Sequence, residues 1–355
     1  CLRLHLPKFP MSERWISELT DQGARFADGR IAGFGDSPAE LAAVDTQPVI
    51  CDLSHDGLIL VSGEDAAAFL HAQLCNDVQA LSEGQAHWNG WCSPKGRLLA
   101  TFLLWRGRQG YFLQLPRTLQ AAIQKRLQMF VLRSKVTLAD VSGDWVRFGI
   151  GGHDADALLT EVLGEVPAMP MATVHTRDGR LIRMSPQRFE FVAAADDALK
   201  LWRQLTPRAK PVGALVWDAL AIRDGVLTVV PATQDAFVPQ MANFELIGGL
   251  SFKKGCYPGQ EIVARTQYRG ILKRRLARVH IDAPSVNVGD SLFSAEFGDQ
   301  AAGTVAAAAP SSKGGFDALV VAQIESLKAN SLRLGGLDGP AATIQPLPYA
   351  VPEMG

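Results

Sequence analysis

The sequence predicts an α+β protein of several domains that ends in an all-β unit. Three observations predict it. Strand-length apolar runs alternate with amphipathic helical stretches between residues 58 and 223. Compact turn signals such as Ser93-Pro-Lys-Gly96 separate neighbouring strands. After Lys273 the helical period stops, and short β-rich runs alternate with Gly, Pro, Asn and Asp as far as Tyr349. At 355 residues the chain has length for two or three domains.

Residues 12–27 read as a short amphipathic helix carrying Trp15, Ile16, Leu19 and Phe26. Residues 28–47, rich in Gly, Ala, Asp and Pro, read as a loop or linker. A compact unit begins at Val49. It contains a strand at 58–62, a helix from Glu64 to Leu74, and strands at 86–92, 98–105 and 111–115. Pro116 opens a helix to about Phe130, since proline suits a first helical turn. Val136 to Val141 returns as a strand. A second unit starts at Trp145, with helices at 154–163 and 196–205 and strands at 181–183 and 189–192. Its strand–helix–strand–strand–helix order is that of a ferredoxin-like layer. Pro207 to Pro211 marks a boundary, and a helix from Leu215 to Arg223 follows. The expected domains are 1–47 (extension and short helix), 48–143 with 211–272, 144–210, and a β-barrel at 273–350.

The formal net charge of −1 provides no global field toward nucleic acid or membrane. Locally the balance differs. The stretch 253–278 holds eight basic residues, among them Lys253, Arg265, Arg269 and Lys273 to Arg275, against Glu261 alone. A surface of that kind suits an anionic ligand or partner. No apolar run is long enough to span a bilayer, and the first ten residues carry no secretory core. Met11-Ser-Glu-Arg reads as a natural start. Five scattered cysteines without a C-x-x-C pair read as free thiols in a reducing, cytoplasmic compartment. Neither they nor the seven histidines show metal-ligand spacing, so no protein metal site is predicted. Nucleophile-elbow and phosphate-loop motifs are missing.

The segment that carries chemistry is Lys254-Gly-Cys-Tyr-Pro-Gly-Gln-Glu261, followed by a helix closed by Gly270. Pro258 sits near the first helical position and Glu261 in the first turn. Cys256 therefore precedes a helix N-terminus and lies two residues from Lys254. Both the helix dipole and an ammonium favour a thiolate. Cys256, assisted by Lys254, is the candidate reactive thiol. A small residue in a tight turn is the plain alternative. Cys51, Cys75 and Cys92 read as packing residues.

The run 254–261 resembles the signature of the YgfZ family, which is related to the aminomethyltransferase (T-protein) of the glycine cleavage system. Further segments are similar in order: Phe69 to Val78, Cys92 to Ala100, Leu132 to Val136, Val238 to Asn243 and Ile344 to Tyr349. The resemblance spans residues 49–349. It implies a three-domain T-protein-like ring that binds tetrahydrofolate in a central channel. It also implies a part in assembling or repairing iron–sulfur clusters and, through an iron–sulfur enzyme, in tRNA modification. A transient cluster is then a second candidate cofactor, and the partners are folate, iron–sulfur clients or assembly proteins, and tRNA. The implied folate contacts are Trp217 by stacking, Gln240, Asn243 and Gln260 by their amides, and Tyr257, Glu261, Arg265 and Asp224.

Three departures bear on the site. The hairpin that carries aspartates in the aminomethyltransferase has Leu99 and Ala100 here. Arg223 stands where a folate-binding Glu is common, with Asp224 one position along. Asp56 occupies a place where some members have tryptophan. Leu99 and Ala100 argue against aminomethyl transfer, which stays as the alternative enzyme reading, while Arg223 and Asp56 bear on the folate contact. A basic-surface module that contacts tRNA or protein without turnover is the other alternative.

Overall fold

The computed structural model describes residues 12–352 except 269 and 271. Cys1, Met11 and Arg269 lie outside the described residues. Within them the α+β expectation holds, and the strands fall mainly into three large sheets.

The first sheet is antiparallel throughout. Its spatial order is Ala86–Cys92, Leu98–Gly107, Gly110–Pro116, Asp56–Ser62, Thr137–Asp140. Helix Arg117–Gln128 lies against it through Leu119, Ile123 and Leu127, which share one face at a four-residue spacing. Pro116 is the last residue of a strand and caps this helix from outside rather than opening it. Helix Ala66–Gln73 buries Phe69 and Leu70 in the same core.

The second sheet runs Thr173–His175, Arg180–Ser185, Arg188–Ala193, Val146–Gly152, Pro48–Asp52, Lys210–Pro211. All pairs are antiparallel except the last, Pro48–Asp52 with Lys210–Pro211. Its outer face carries Phe148, Ile150, Phe189 and Phe191. Helices Ala155–Leu163 and Ala195–Leu205 cover that face with Leu158, Leu159, Trp202 and Leu205. Strand alternation turns Arg147, Gly149, Arg188 and Glu190 to the inner face.

The N-terminal stretch is more ordered than a helix and a linker. The helix is shorter than expected, Glu13–Asp21, and Trp15 stacks on Phe148 at 5.9 Å and meets Trp202 edge-on at 5.1 Å. The expected loop 28–47 contains strand Arg30–Gly33, paired with Arg25–Ala27, and helix Ser37–Ala43. The hairpin turns on Asp28-Gly29, both at positive φ (49° and 76°), as a tight primed turn requires. The Asp36 carboxylate caps the helix by accepting the Ala39 N–H at 3.2 Å. Composition had masked both signals. Strand Pro48–Asp52 also joins the second sheet, although the sequence placed it with the first unit.

The third sheet, in order Arg333–Leu334, Ser291–Phe293, Gly303–Pro310, Phe316–Gln323, Arg274–Ile281, Ala342–Gln345, is the C-terminal β unit. It curls until its edges meet: Arg333 bridges Ala341, and Ala342 N–H bonds Leu332 O at 2.9 Å. Val279, Ile281, Val305 and Val320 fill its interior.

Helix Ala214–Arg223 occupies the inner face of the second sheet. The Trp217 ring lies on Gly149, so close that a Cβ there would come within 2.4 Å of it. Gly149→Ala is therefore expected to cost about 1–3 kcal/mol through overpacking. Gly84→Ala, which meets nothing within 4 Å, is the control and should cost less. Urea unfolding of both variants measures the difference.

Candidate functional site

The 254–261 loop crosses the C-terminal end of helix Ala66–Gln73 and the Ser93–Gly96 turn. Gly259 makes the crossing possible. Its φ is +79°, and a Cβ there would lie 2.3 Å from Ser93 O and 2.6 Å from Gly96 Cα. The following helix is Gln260–Tyr268, so Pro258 precedes the first turn rather than entering it.

Lys254 points inward and is 7% exposed. Its ammonium donates to the carbonyl oxygens of His71 and Leu74, the latter at 2.5 Å, and lies 4.9 Å from the centre of the buried Tyr257 ring. A helix leaves its last carbonyls unpaired, and a lysine brought from far along the chain closes this one. Burial lowers Lys254 to about 8, against the pull of Cys75, Asp77 and Cys256. Burial and then Lys254 lower His71, whose ring lies 3.2 Å from Asp77. Cys256 itself is exposed, four residues ahead of the helix. The Lys254 donors are spent on carbonyls, and its charge alone reaches Cys256.

Beneath the loop lie two buried cysteines. The Cys75 thiol is 3.4 Å from Gly249 O. Contact with Cys75 and then burial push the Cys92 thiol well up. Burial likewise pushes Tyr257 up, with Cys75 and Cys92 adding to it.

Trp217 and Asp224 belong to a second place, the packed interface between the first two sheets. The Arg188 guanidinium sits 5.2 Å over the Trp217 ring, and its Nε is 2.9 Å from Asp224 Oδ2. Burial raises Asp224, opposed by Arg188. Arg223 turns outward to Asp45 at 2.6 Å. Arg188, Asp224, Arg223 and Asp45, with Ser185, Gln187 and His153, line a cleft of about 170 Å³. Deeper in, Gln114 donates to Asp56 at 3.0 Å and to Glu190 at 3.1 Å, and Arg147 donates to Asp56 O at 2.7 Å. Glu190 is fully buried, and burial pushes it up to about 8, with Arg147 pulling the other way. Among the described residues, Arg147 Nε and Nη1, Glu190 Oε1 and Gln114 Oε1 have no hydrogen-bond partner here. Sequence reasoning missed Arg147, Glu190 and Arg188. The available signal was a charged residue at alternate positions of an otherwise apolar strand, as in Phe189-Glu-Phe-Val192.

The two amides Gln240 and Asn243 occupy a third place. Gln240 donates to Val263 O at 2.7 Å, and Asn243, at φ +57°, donates to Leu276 O at 3.2 Å and Tyr349 Oη at 3.3 Å. They hold the 260–268 helix and the barrel against the first unit. Gln260 is half-buried, and Glu261 and Arg265 are exposed on that helix. The basic stretch is not one surface either. Arg275 is buried against Glu245 at 2.8 Å, and Arg278 faces Asp317 at 3.6 Å. The residues singled out from the sequence thus form three groups rather than one pocket.

Two substitutions read these environments. Lys254→Met leaves two carbonyls without a donor and should cost about 1–3 kcal/mol in urea unfolding. Glu190 is held protonated in the fold above its ordinary 4.5 up to about 8. The unfolded chain ionises first, so this group's contribution to stability falls as pH rises from about 4.5 to about 8. Glu190→Gln should flatten that part of the stability–pH curve, and an unchanged slope would refute the buried protonated carboxyl.

Residues 25–224 match the model of the GCVT N-terminal domain family. The chain is 29% identical over 323 residues to the tRNA-modifying protein YgfZ of Edwardsiella ictaluri, covering 89% of this chain and 97% of that one. It is 32% identical over 305 residues to the protein of that name from Yersinia enterocolitica, covering 83% and 91%. Among solved structures, the glycine cleavage system aminomethyltransferase T of Bartonella henselae superposes with a TM-score of 0.74 at 17% identity, over 94% of this chain and 96% of that one. That likeness shows the T-protein-like three-domain fold.

Proposed function

The chain belongs to the YgfZ family of GCVT-domain proteins, and from that premise we propose that it binds tetrahydrofolate and supports iron–sulfur enzymes that act in tRNA modification. The observation that carries the folate half is the set of buried atoms without partners between the sheets. Arg147 offers two free donors, and Glu190 and Gln114 each offer a free oxygen. A protonated Glu190 adds a donor of its own. A pterin edge alternates donors and acceptors and fits such a set. Arg188 packs over the Trp217 ring beside this set, and its guanidinium side also lines the cleft at Ser185 and Asp224. Bound tetrahydrofolate would supply one-carbon carriage. The residues of the chain bind it, orient it and keep water from its ring.

Aminomethyl transfer is disfavoured. Leu99 and Ala100 are buried apolar residues on strand Leu98–Gly107 and offer no carboxylate to move a proton. The iron–sulfur half rests on Cys256, an exposed thiol on a loop anchored from below by Lys254. Exposed, it can meet a client or a cluster, while the proposed folate site lies elsewhere. A tRNA contact through the basic stretch is weakened by the burial of Arg275.

Calorimetric titration with tetrahydrofolate tests the first half. Binding is expected to wild type and Cys256→Ser alike, and to weaken about tenfold in Glu190→Ala, which removes both the donor and the acceptor. Absence of binding to wild type would overturn the folate reading. For the second half, Cys256→Ser should fail to restore an iron–sulfur enzyme in oxidatively stressed cells that lack their own YgfZ. Full restoration would remove the thiol from the proposal.

A further inference from the structure

Three large apolar side chains stand in solvent on one turn. Helix Arg117–Gln128 runs out into it, and Met129, Phe130 and Leu132 are 63%, 43% and 87% exposed. Leu132 also has φ +46°, a left-handed backbone that suits Gly, Asn or Asp and is unfavourable for a bulky residue. Burial offsets nothing here, because the side chain stands in water. A strained backbone that holds a leucine outward points to a function for that leucine. The turn is pinned at both ends. Phe130 N–H bonds Leu127 O at 3.0 Å, and the Phe130 ring meets Trp91 edge-on at 6.1 Å. At the far end Lys135 N–H donates to the Asp65 carboxylate at 2.8 Å, and its ammonium pairs with Glu64 at 2.7 Å.

Cations surround the tip. Lys125, Arg126 and Arg133 are exposed, and none of the three has an ion pair among the described residues. Arg126 shares the Trp91 ring with Phe130, its guanidinium lying 5.5 Å from the ring centre. An open recess bounded by Leu132, Arg133, Ser134 and Asp65 lies beside the tip. Trp91 also joins the turn to the 254–259 loop. Past the helix Ala66–Gln73 the chain continues as a short extension of the first sheet: Leu74 bridges Trp91, and Cys75 N–H bonds Gly90 O at 2.8 Å. Leu74 O is one of the two carbonyls that hold Lys254.

We propose that the 129–133 turn is a docking site for a protein partner that presents carboxylates around an apolar recess. The partner is the iron–sulfur enzyme of the proposed function, so its identity rests on that reading. Leu132 enters the recess, Met129 and Phe130 widen the apolar contact, and Arg126 and Arg133 meet the carboxylates. Uncompensated cations around an apolar centre call for a partner of opposite charge. A turn already pinned loses little freedom on binding. A fluid lipid surface gains nothing from a fixed, outward-held leucine, and neither Leu132 nor Met129 gives a nucleic acid a flat face to stack on. A protein surface of matching shape is the occupant that uses every one of these features.

The test measures binding of the full-length protein to one purified iron–sulfur enzyme, chosen because its activity falls in oxidatively stressed cells that lack their own YgfZ. Biolayer interferometry at low and high salt compares wild type with Leu132→Asn, Arg133→Glu and Met169→Asn, the last an exposed methionine elsewhere in the chain. Wild type and Met169→Asn are expected to bind alike and more weakly in high salt. Leu132→Asn and Arg133→Glu should each weaken binding about tenfold. Asparagine accepts the left-handed backbone, so Leu132→Asn should keep or raise the thermal midpoint, which separates lost docking from lost folding. Equal binding by all four proteins, or no binding by wild type, would overturn the proposal. So would binding to phosphatidylglycerol vesicles or to tRNA, in place of the enzyme, that the same two substitutions abolish. Restoration of the enzyme in cells is scored in parallel. Restoration by wild type without binding removes the docking site and leaves the proposed function standing, and binding without restoration does the reverse.

Discussion

Lys254 links elements that are far apart in the chain through one buried ammonium. Its bonds to the His71 and Leu74 carbonyls end the helix Ala66–Gln73 and fix the loop that follows Lys254 in sequence. Burial of a cation is unfavourable unless its donors are used, and here two carbonyls and an aromatic face use them. The helix end, the Cys75 extension, the position of Tyr257 and the exposure of Cys256 all follow from it. The glycines on either side serve the same arrangement: Gly259 lets the backbone pass over the Ser93–Gly96 turn, and Gly90 leaves room for a sulfur.

The interface between the first two sheets obeys a different constraint. Charged residues on an inner strand face must find partners or lose their charge. Arg188 finds Asp224, and Arg147 and Gln114 find Asp56. Among the described residues Glu190 takes one hydrogen bond, from Gln114, and burial pushes its carboxyl up to about 8, with Arg147 pulling the other way. An apolar interior would be simpler for stability alone, so the retained polar set supports the proposed folate reading. The packed Trp217 makes the interface rigid, since Gly149 leaves it no slack.

Much of this was legible in the sequence where local chemistry dominates. The strands read at 86–92 and 98–105, the helix read at 196–205 and the switch to β structure after Lys273 follow from periodicity and turn residues, and the structure extends two of them by one or two residues. The 254–261 motif stood out by its glycines, its proline and its charges. Other features were hidden because they are made by pairing across the chain. Nothing near Pro48 says that its strand will join Val146–Gly152, and nothing near Lys254 says that its partners lie at 71 and 74. Arg275 looked like part of a basic surface until its pairing with Glu245 placed it inside. The Asp28-Gly29 hairpin was legible and was lost to the average composition around it.

The parallel pair of Pro48–Asp52 with Lys210–Pro211 has a consequence for the order in which the chain can assemble. The first sheet draws all its strands from 56–140, so it can form while the ribosome is still making the rest. The second sheet has its fifth strand made earliest and its sixth made last, with the whole first sheet between them. It must wait for residue 211 with one edge open, and such long-range closure is slow. The barrel and then Tyr349, whose hydroxyl bonds Gly225 O at 2.8 Å, complete the molecule from the far end. The nascent protein therefore carries an unfinished strand edge through much of its synthesis, which makes that edge the place where a chaperone would have most to protect.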